Sequence, residues 1–224
     1  MNLCEQAYIS FTNKLLSRDL VPGQFVTQRE LAEITDIPMS TIRAIVFRSE
    51  SDGLLKTAPN RGLKIANIDL KFVQNAFEFR EVLEKKAVEA FVQSAPQSVF
   101  DQMRRDHEGI LDAAARDVGE TLIKQAQIVD WRLHETIVDS LNNDIISSAY
   151  RINFIKIRLI RQDHTCLTPK TIVDAMNEHL QIIETFERRD VAAAVEAIEC
   201  HIETARVRAL GISDGDGGMR DVAQ

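Results

Sequence analysis

Glycine and proline are spread unevenly along this chain, and that unevenness constrains its fold more than any other feature. Pro22, Gly23, Pro38, Gly53, Pro59 and Gly62 all lie within the first 62 of 224 residues. From there to Gly211 only Pro96, Gly109, Gly119 and Pro169 interrupt the chain. Proline lacks an N–H and glycine lacks a Cβ, so both break regular elements. A first segment of short elements is therefore expected, followed by a second of long helices.

Within the first segment, apolar residues at helical spacing run over 5–18 and stop at the turn signal Val21-Pro22-Gly23. Thr27 and Glu30 have the spacing of a capping box, which opens a short helix ending near Thr35-Asp36. A third helix is expected from Pro38, whose fixed φ suits a first turn, to Asp52-Gly53. Strands over 54–57 and 62–65 flank a tip at Pro59-Asn60-Arg61-Gly62. Three helices and a hairpin in that order describe a winged helix-turn-helix.

The second segment reads as helices over 70–94, 97–117, 120–140, 144–163, 169–188 and 191–210. The expected fold is thus mainly α: a winged helix-turn-helix over 1–67, then an all-α, six-helix antiparallel bundle over 68–212. The tail, 213–224, has almost nothing to bury and is expected to be disordered.

A net charge of −7 argues at first against a nucleic-acid partner, but the total conceals a split. Residues 1–67 carry 8 basic and 7 acidic side chains, whereas 68–224 carry 19 and 27. Within 39–64 the count is 5 basic to 2 acidic. No apolar run approaches the roughly 18 residues of a membrane span, so no membrane partner is expected. The N-terminal residues lack a signal-peptide layout, making a cytoplasmic location the expectation. The three cysteines, Cys4, Cys166 and Cys200, show no CxxC spacing and suggest no disulfide framework.

In a helix-turn-helix the second helix enters the major groove and its first residues meet base edges. Here those are Met39, Ser40, Thr41 and Arg43. The hydroxyls can bond to bases or phosphates, and Arg43 can fork onto a guanine. Arg29 is placed to hold the DNA backbone, and Arg61 with Gly62 forms the wing tip. These elements closely resemble the N-terminal domain of GntR-family bacterial transcription regulators. The resemblance rests on Pro22-Gly23, Arg29-Glu30-Leu31-Ala32, Ser40-Thr41-Ile42-Arg43, Asp52-Gly53-Leu54-Leu55 and Arg61-Gly62. The chain departs from the family pattern at Pro38-Met39, where Ser-Arg is usual, and at Ala44, where Glu is usual. Met39 offers only apolar contact, for example to a thymine methyl.

Asp130 and His134 are spaced i,i+4, which stacks them on one helix face with Cβ atoms roughly 6 Å apart. His179 and His201 lie ten and eleven residues from the turn at Arg189-Asp190. An antiparallel helix pair would hold those two histidines at one level, so three helices converge on a candidate metal site. His107 and His164 lack such partners and read as structural or solvated. Cys200 points off the His201 face, and Trp131 reads as core.

The same four residues resemble the pattern of the FCD ligand-binding domain of the FadR branch of GntR regulators. There a D-x3-H is followed by Glu-His, here Glu178-His179, and by a final histidine. Arg80 and Glu84 likewise resemble the family's opening helix, and six helices resemble its VanR-type subgroup. The resemblance implies a divalent metal, often zinc or nickel, and a small carboxylate effector beside it. Candidates to line that effector site are Arg80, Arg158 and Arg161, suited to bidentate carboxylate binding, with Tyr150 and Phe154 as wall residues. The expected function is a homodimeric regulator, usually a repressor, on palindromic double-stranded operator DNA. Two alternatives stand beside it. One is a metal-dependent helical enzyme, disfavoured because no HExxH or comparable general base is present. The other is a direct metal sensor.

Overall fold

The computed structural model describes residues 3–164 and 171–211, with side chains through 160 and from 171 onward. The N-terminal portion contains α1 (Leu3–Leu16), β1 (Phe25–Val26), α2 (Gln28–Thr35), α3 (Met39–Ser51), β2 (Leu55–Ala58) and β3 (Gly62–Ile65). The capping box forms as its spacing requires: Thr27 Oγ1 accepts from the Glu30 amide at 3.1 Å, and Glu30 Oε2 from the Thr27 amide at 2.7 Å. At the other end of α2, Asp36 adopts a left-handed conformation and Pro38 precedes the first turn of α3. The strands form an antiparallel sheet in the order β1-β3-β2. Sequence periodicity did not reveal β1, because two residues are too short to show alternation. It exists because Phe25 and Val26 pair with Lys64 and Leu63 of the wing.

Gly62 is the position where only glycine fits. Its φ is +85°, and a Cβ there would lie 2.7 Å from the Val26 carbonyl oxygen. Buried Phe11, Leu15, Leu20, Leu31, Ile42, Ile45, Leu54 and Leu63 make the core of this portion.

The remaining described elements are α4 (Leu70–Ser94), α5 (Gln97–Ala114), α6 (Glu120–Asp139), α7 (Asp144–His164), α8 (Ile172–Glu187) and α9 (Val191–Ala209). Asp69 and Asp190 cap α4 and α9 through their side chains, each satisfying an amide of the first turn. In the bundle α4 packs mainly on α9, and α5 on α8. Phe91, Phe100 and Phe186 meet at the centre, with ring centroids 5.4 to 5.8 Å apart. The expected start of α8 at Pro169 and the tail 213–224 lie outside the described residues.

One helix belongs to both cores. α7 places Tyr150, Phe154, Ile157 and Ile160 in the bundle, while Leu159 is buried among the apolar residues of the winged portion. The Leu159 carbonyl also accepts a hydrogen bond from Arg18 at 3.4 Å.

Candidate metal centre and nucleic-acid interface

Three histidines from three helices meet inside the bundle. His134 (α6), His179 (α8) and His201 (α9) are all buried, and a ring nitrogen of each lies within 4.8 Å of the others. His179 Nε2 is 3.3 Å from His201 Nε2 and 3.6 Å from Asp130 Oδ1. Asp130, one turn before His134, is also buried.

The outward nitrogen of each ring has its own partner. Glu84 Oε2 accepts from His134 Nδ1 at 2.8 Å, and Glu178 Oε2 from His201 Nδ1 at 3.0 Å. His179 Nδ1 lies 3.1 Å from His107 Nε2. Because a carboxylate only accepts, His134 and His201 carry their hydrogens on Nδ1 and turn Nε2 lone pairs inward. The His179 and His201 Nε2 atoms are 3.3 Å apart and all three rings come within 4.8 Å, with a carboxylate beside them. Arg80 Nη2 lies against the His134 Nε2 lone pair, and were it to yield that nitrogen the set would suit a divalent cation.

Glu84 organises the α4 side of this cluster. Its wholly buried carboxylate accepts from Arg80 Nε at 2.7 Å, Tyr150 Oη at 2.5 Å and His134 Nδ1 at 2.8 Å. Burial alone would raise its pKa, but the Arg80 guanidinium, His134 and the Tyr150 hydroxyl hold it well below the usual carboxylate range. Burial, with the Arg80 charge beside it, pulls the His134 imidazole down to about 4. Burial and the Glu84 charge push the Tyr150 phenol well above its ordinary value. The resident species near neutral pH are therefore Arg80 cation, Glu84 anion, neutral His134 and neutral Tyr150.

The five effector candidates separate in space. Arg80 and Tyr150 reach the histidines through Glu84, and Arg80 Nη2 lies 2.8 Å from His134 Nε2. Arg158 stands further out, its guanidinium 4.2 Å from the centre of the Trp131 ring. Phe154 is buried in the bundle core between Trp131 and Tyr150. The Arg161 side chain lies outside the described residues. Sequence reading quoted Glu84 and Glu178 only as motif residues, with no part in holding the histidines, and set His107 aside as structural or solvated. Glu84 had a signal, since it is i+4 from Arg80; His107 had none, because its partner is 72 residues away.

On the winged portion, Met39 (52% exposed), Ser40, Arg43, Ala44 and Phe47 (78% exposed) occupy the outer face of α3. One sequence expectation needs correction. Thr41 is 6% exposed and faces the core beside Ile42 and Ile45, so its hydroxyl does not belong to that outer face. Gly62 holds the wing's backbone turn beside Arg61. Arg29 is exposed on the first turn of α2, and Arg61 is exposed with its guanidinium 3.8 Å above the Phe25 ring. Phe47 was not singled out from sequence.

A winged helix-turn-helix joined to a helical bundle is the architecture of a DNA-binding transcription regulator. The FCD domain family matches residues 75–204, more than half of the chain, and the chain belongs to that family, among the GntR-type transcription regulators. It is similar to the uncharacterized HTH-type transcriptional regulator YdhC of Bacillus subtilis (strain 168), 25% identical over 203 residues and covering 87% of each chain. Among solved structures, E. coli McbR/YncC matches 94% of this chain and 98% of its own, with TM-score 0.74 at 14% identity. A transcriptional regulator GntR from Rhodococcus sp. RHA1 matches 94% and 99%, with TM-score 0.72 at 14% identity. The metal-free FCD domain of TM0439 covers 66% of this chain and 97% of its own, with TM-score 0.53 at 19% identity. At those identities the structures support the fold alone. These relatives are regulators, and the enzyme alternative is set aside. Among the described residues no helix is long and apolar enough to cross a membrane.

Proposed function

We propose that this regulator is a homodimeric, cytoplasmic repressor whose operator affinity is set by a small carboxylate metabolite bound beside a divalent cation. The observation that carries the reading is the convergence of His134, His179 and His201, each with an outward nitrogen already engaged. These three, with Asp130 as a fourth donor, would hold zinc or nickel. When bound, such an ion supplies positive charge and a coordination position that a carboxylate can take. Arg80 is the second partner for the effector, because its Nη2 edge faces the cluster while its Nε stays on Glu84. Tyr150 walls the same space, whereas Arg158 and Phe154 support it from further out.

In this reading residues 68–212 sense and residues 1–67 read DNA. Met39, Ser40 and Arg43 would enter the major groove with Phe47, and Arg29 and Arg61 would hold phosphates. Met39 and Phe47 suit thymine methyls, and Arg43 suits guanine. α7 couples the two ends: Tyr150 is bonded to Glu84 at the cluster, and Leu159 is buried in the winged portion's core. An effector that favours one placement of α7 shifts the population of DNA-competent dimers.

The test pairs elemental analysis with DNA binding. Wild-type protein should carry about one divalent ion per chain, and affinity for a promoter fragment should fall steeply with salt as counterions are released. The double variant His134→Ala/His179→Ala should lose the ion and the effector response while still binding DNA. Stoichiometric metal in that variant, or salt-insensitive DNA binding, would overturn the reading.

A further inference from the structure

His107 lies on α5, off the helices that bear the three clustered histidines, and is 1% exposed. Its Nδ1 is 2.7 Å from the Met103 carbonyl oxygen one turn back. A carbonyl oxygen only accepts, so His107 Nδ1 carries the hydrogen and Nε2 is a lone pair. The Nε2 lone pair is directed at His179 Nδ1, 3.1 Å away, and a hydrogen bond there requires His179 to donate. The Met103 carbonyl thus sets the tautomer of His107, and His107 in turn sets that of His179.

We propose that His107 is a positioning residue of the metal centre: it holds His179 as the Nδ1–H tautomer and so aims the Nε2 lone pair at His134, His201 and Asp130. It does for His179 what Glu84 does for His134 and Glu178 for His201. A neutral imidazole in that role adds no charge to the site, whereas each glutamate adds a negative one. The cluster thereby keeps one fewer negative charge than three carboxylate partners would bring, which favours binding an anionic effector beside the cation. The proposal rests on the metal reading above, and its test separates the two.

The experiment uses the full chain and zinc as the probe. Zinc affinity is measured by competition with a chromophoric chelator for wild type, His107→Phe and His107→Gln. The glutamine oxygen can accept from His179 in place of Nε2, and the phenyl ring cannot. Loss of a partner that orients a metal ligand typically weakens affinity about 10–100-fold, the result expected for H107F. H107Q should stay within about threefold of wild type, because the acceptor is restored. In parallel, long-range 1H–15N spectra of chelator-treated wild type, with His179 assigned by its absence in His179→Asn, should show the hydrogen on Nδ1. Wild-type affinity in H107F, equal weakening in both variants, or a hydrogen on His179 Nε2 would each overturn the proposal. Should H107F fail to fold, H107Q and the tautomer assignment decide. Should wild type bind no zinc, the metal reading fails, while the tautomer assignment still decides the role of His107.

Discussion

Replacing Glu84 by glutamine removes one negative charge and almost no volume from a carboxylate that is wholly buried and accepts three hydrogen bonds. Oε1 receives both Arg80 Nε and Tyr150 Oη, while Oε2 receives His134 Nδ1. An amide has one oxygen, so either orientation sets an NH2 against a donor. In both, the buried guanidinium loses its counter-charge, and an NH2 facing Arg80 also meets the Nε hydrogen. If it faces His134, that ring must move its hydrogen to Nε2, where Arg80 Nη2 already donates. Removing one member of a buried ion pair costs about 3–5 kcal/mol. For a chain of this size that corresponds to a melting point lower by roughly 6–20 °C. Calorimetry of wild type, Glu84→Gln, Arg80→Met and the double variant tests this. The double variant should be less damaged than the sum of the singles by about 1–3 kcal/mol, since the two losses share one interaction. A melting point for Glu84→Gln within about 2 °C of wild type, corresponding to less than about 1 kcal/mol, would refute the premise that Glu84 is the counter-charge holding Arg80. Zinc affinity should fall alongside stability, because His134 loses the acceptor that fixes its tautomer.

Acid should weaken the chelator-treated protein in two adjoining steps. His134 is depressed from 6.5 to about 4, so the unfolded chain binds a proton that the folded one refuses, and stability falls as pH drops from about 6.5 to 4. The loss is on the order of 2–3 kcal/mol. Glu84, held low, adds a further loss below about 4.5, where the unfolded carboxyl is protonated and the folded one is not. Urea denaturation at stepped pH reads both; a flat profile between pH 7 and 5 would contradict the first. Phe47→Ala should weaken specific DNA binding about threefold to tenfold without changing the salt slope, because a phenyl ring contacts no phosphate. Thymine-to-uracil substitution in the selected site should cost wild type a similar factor and the variant little. Gly62→Ala should destabilise the wing by about 2–3 kcal/mol, through the forced positive φ and the close Val26 carbonyl. Hydrogen exchange of the β1 and β3 amides should rise while bundle amides stay protected.

Much of the architecture was legible locally. The capping box at Thr27 and Glu30 formed as spaced, and the β3 bounds and α4 bounds were read directly from pattern and caps. Elsewhere helix ends moved by a few residues, as at α1, which stops at Leu16, and α5, which stops at Ala114. Those ends depend on where packing stops rewarding another turn. The convergence of His134, His179 and His201 was anticipated because equal distance from a tight turn equates depth in an antiparallel pair. Thr41 was misplaced because residue type does not say which side of a helix faces the core. A polar Thr41 went in, and an apolar Phe47 stayed out.

By itself the sequence determined the order and kind of the elements, through glycine, proline, caps and periodicity. These are local devices, acting over three or four residues. It also determined which helices bear histidines, and so which could form a metal centre. Tertiary structure alone decided who holds those histidines in place. Glu84 reaches His134 across 50 positions, Glu178 reaches His201 across 23 and His107 reaches His179 across 72. Such pairings depend on how each helix is rotated about its axis and where it crosses its neighbour. A turn of about 100° per residue means that one position's offset would point the same side chain elsewhere. That rotation is set by the packing of the whole bundle core, and no spacing rule along one strand of sequence contains it.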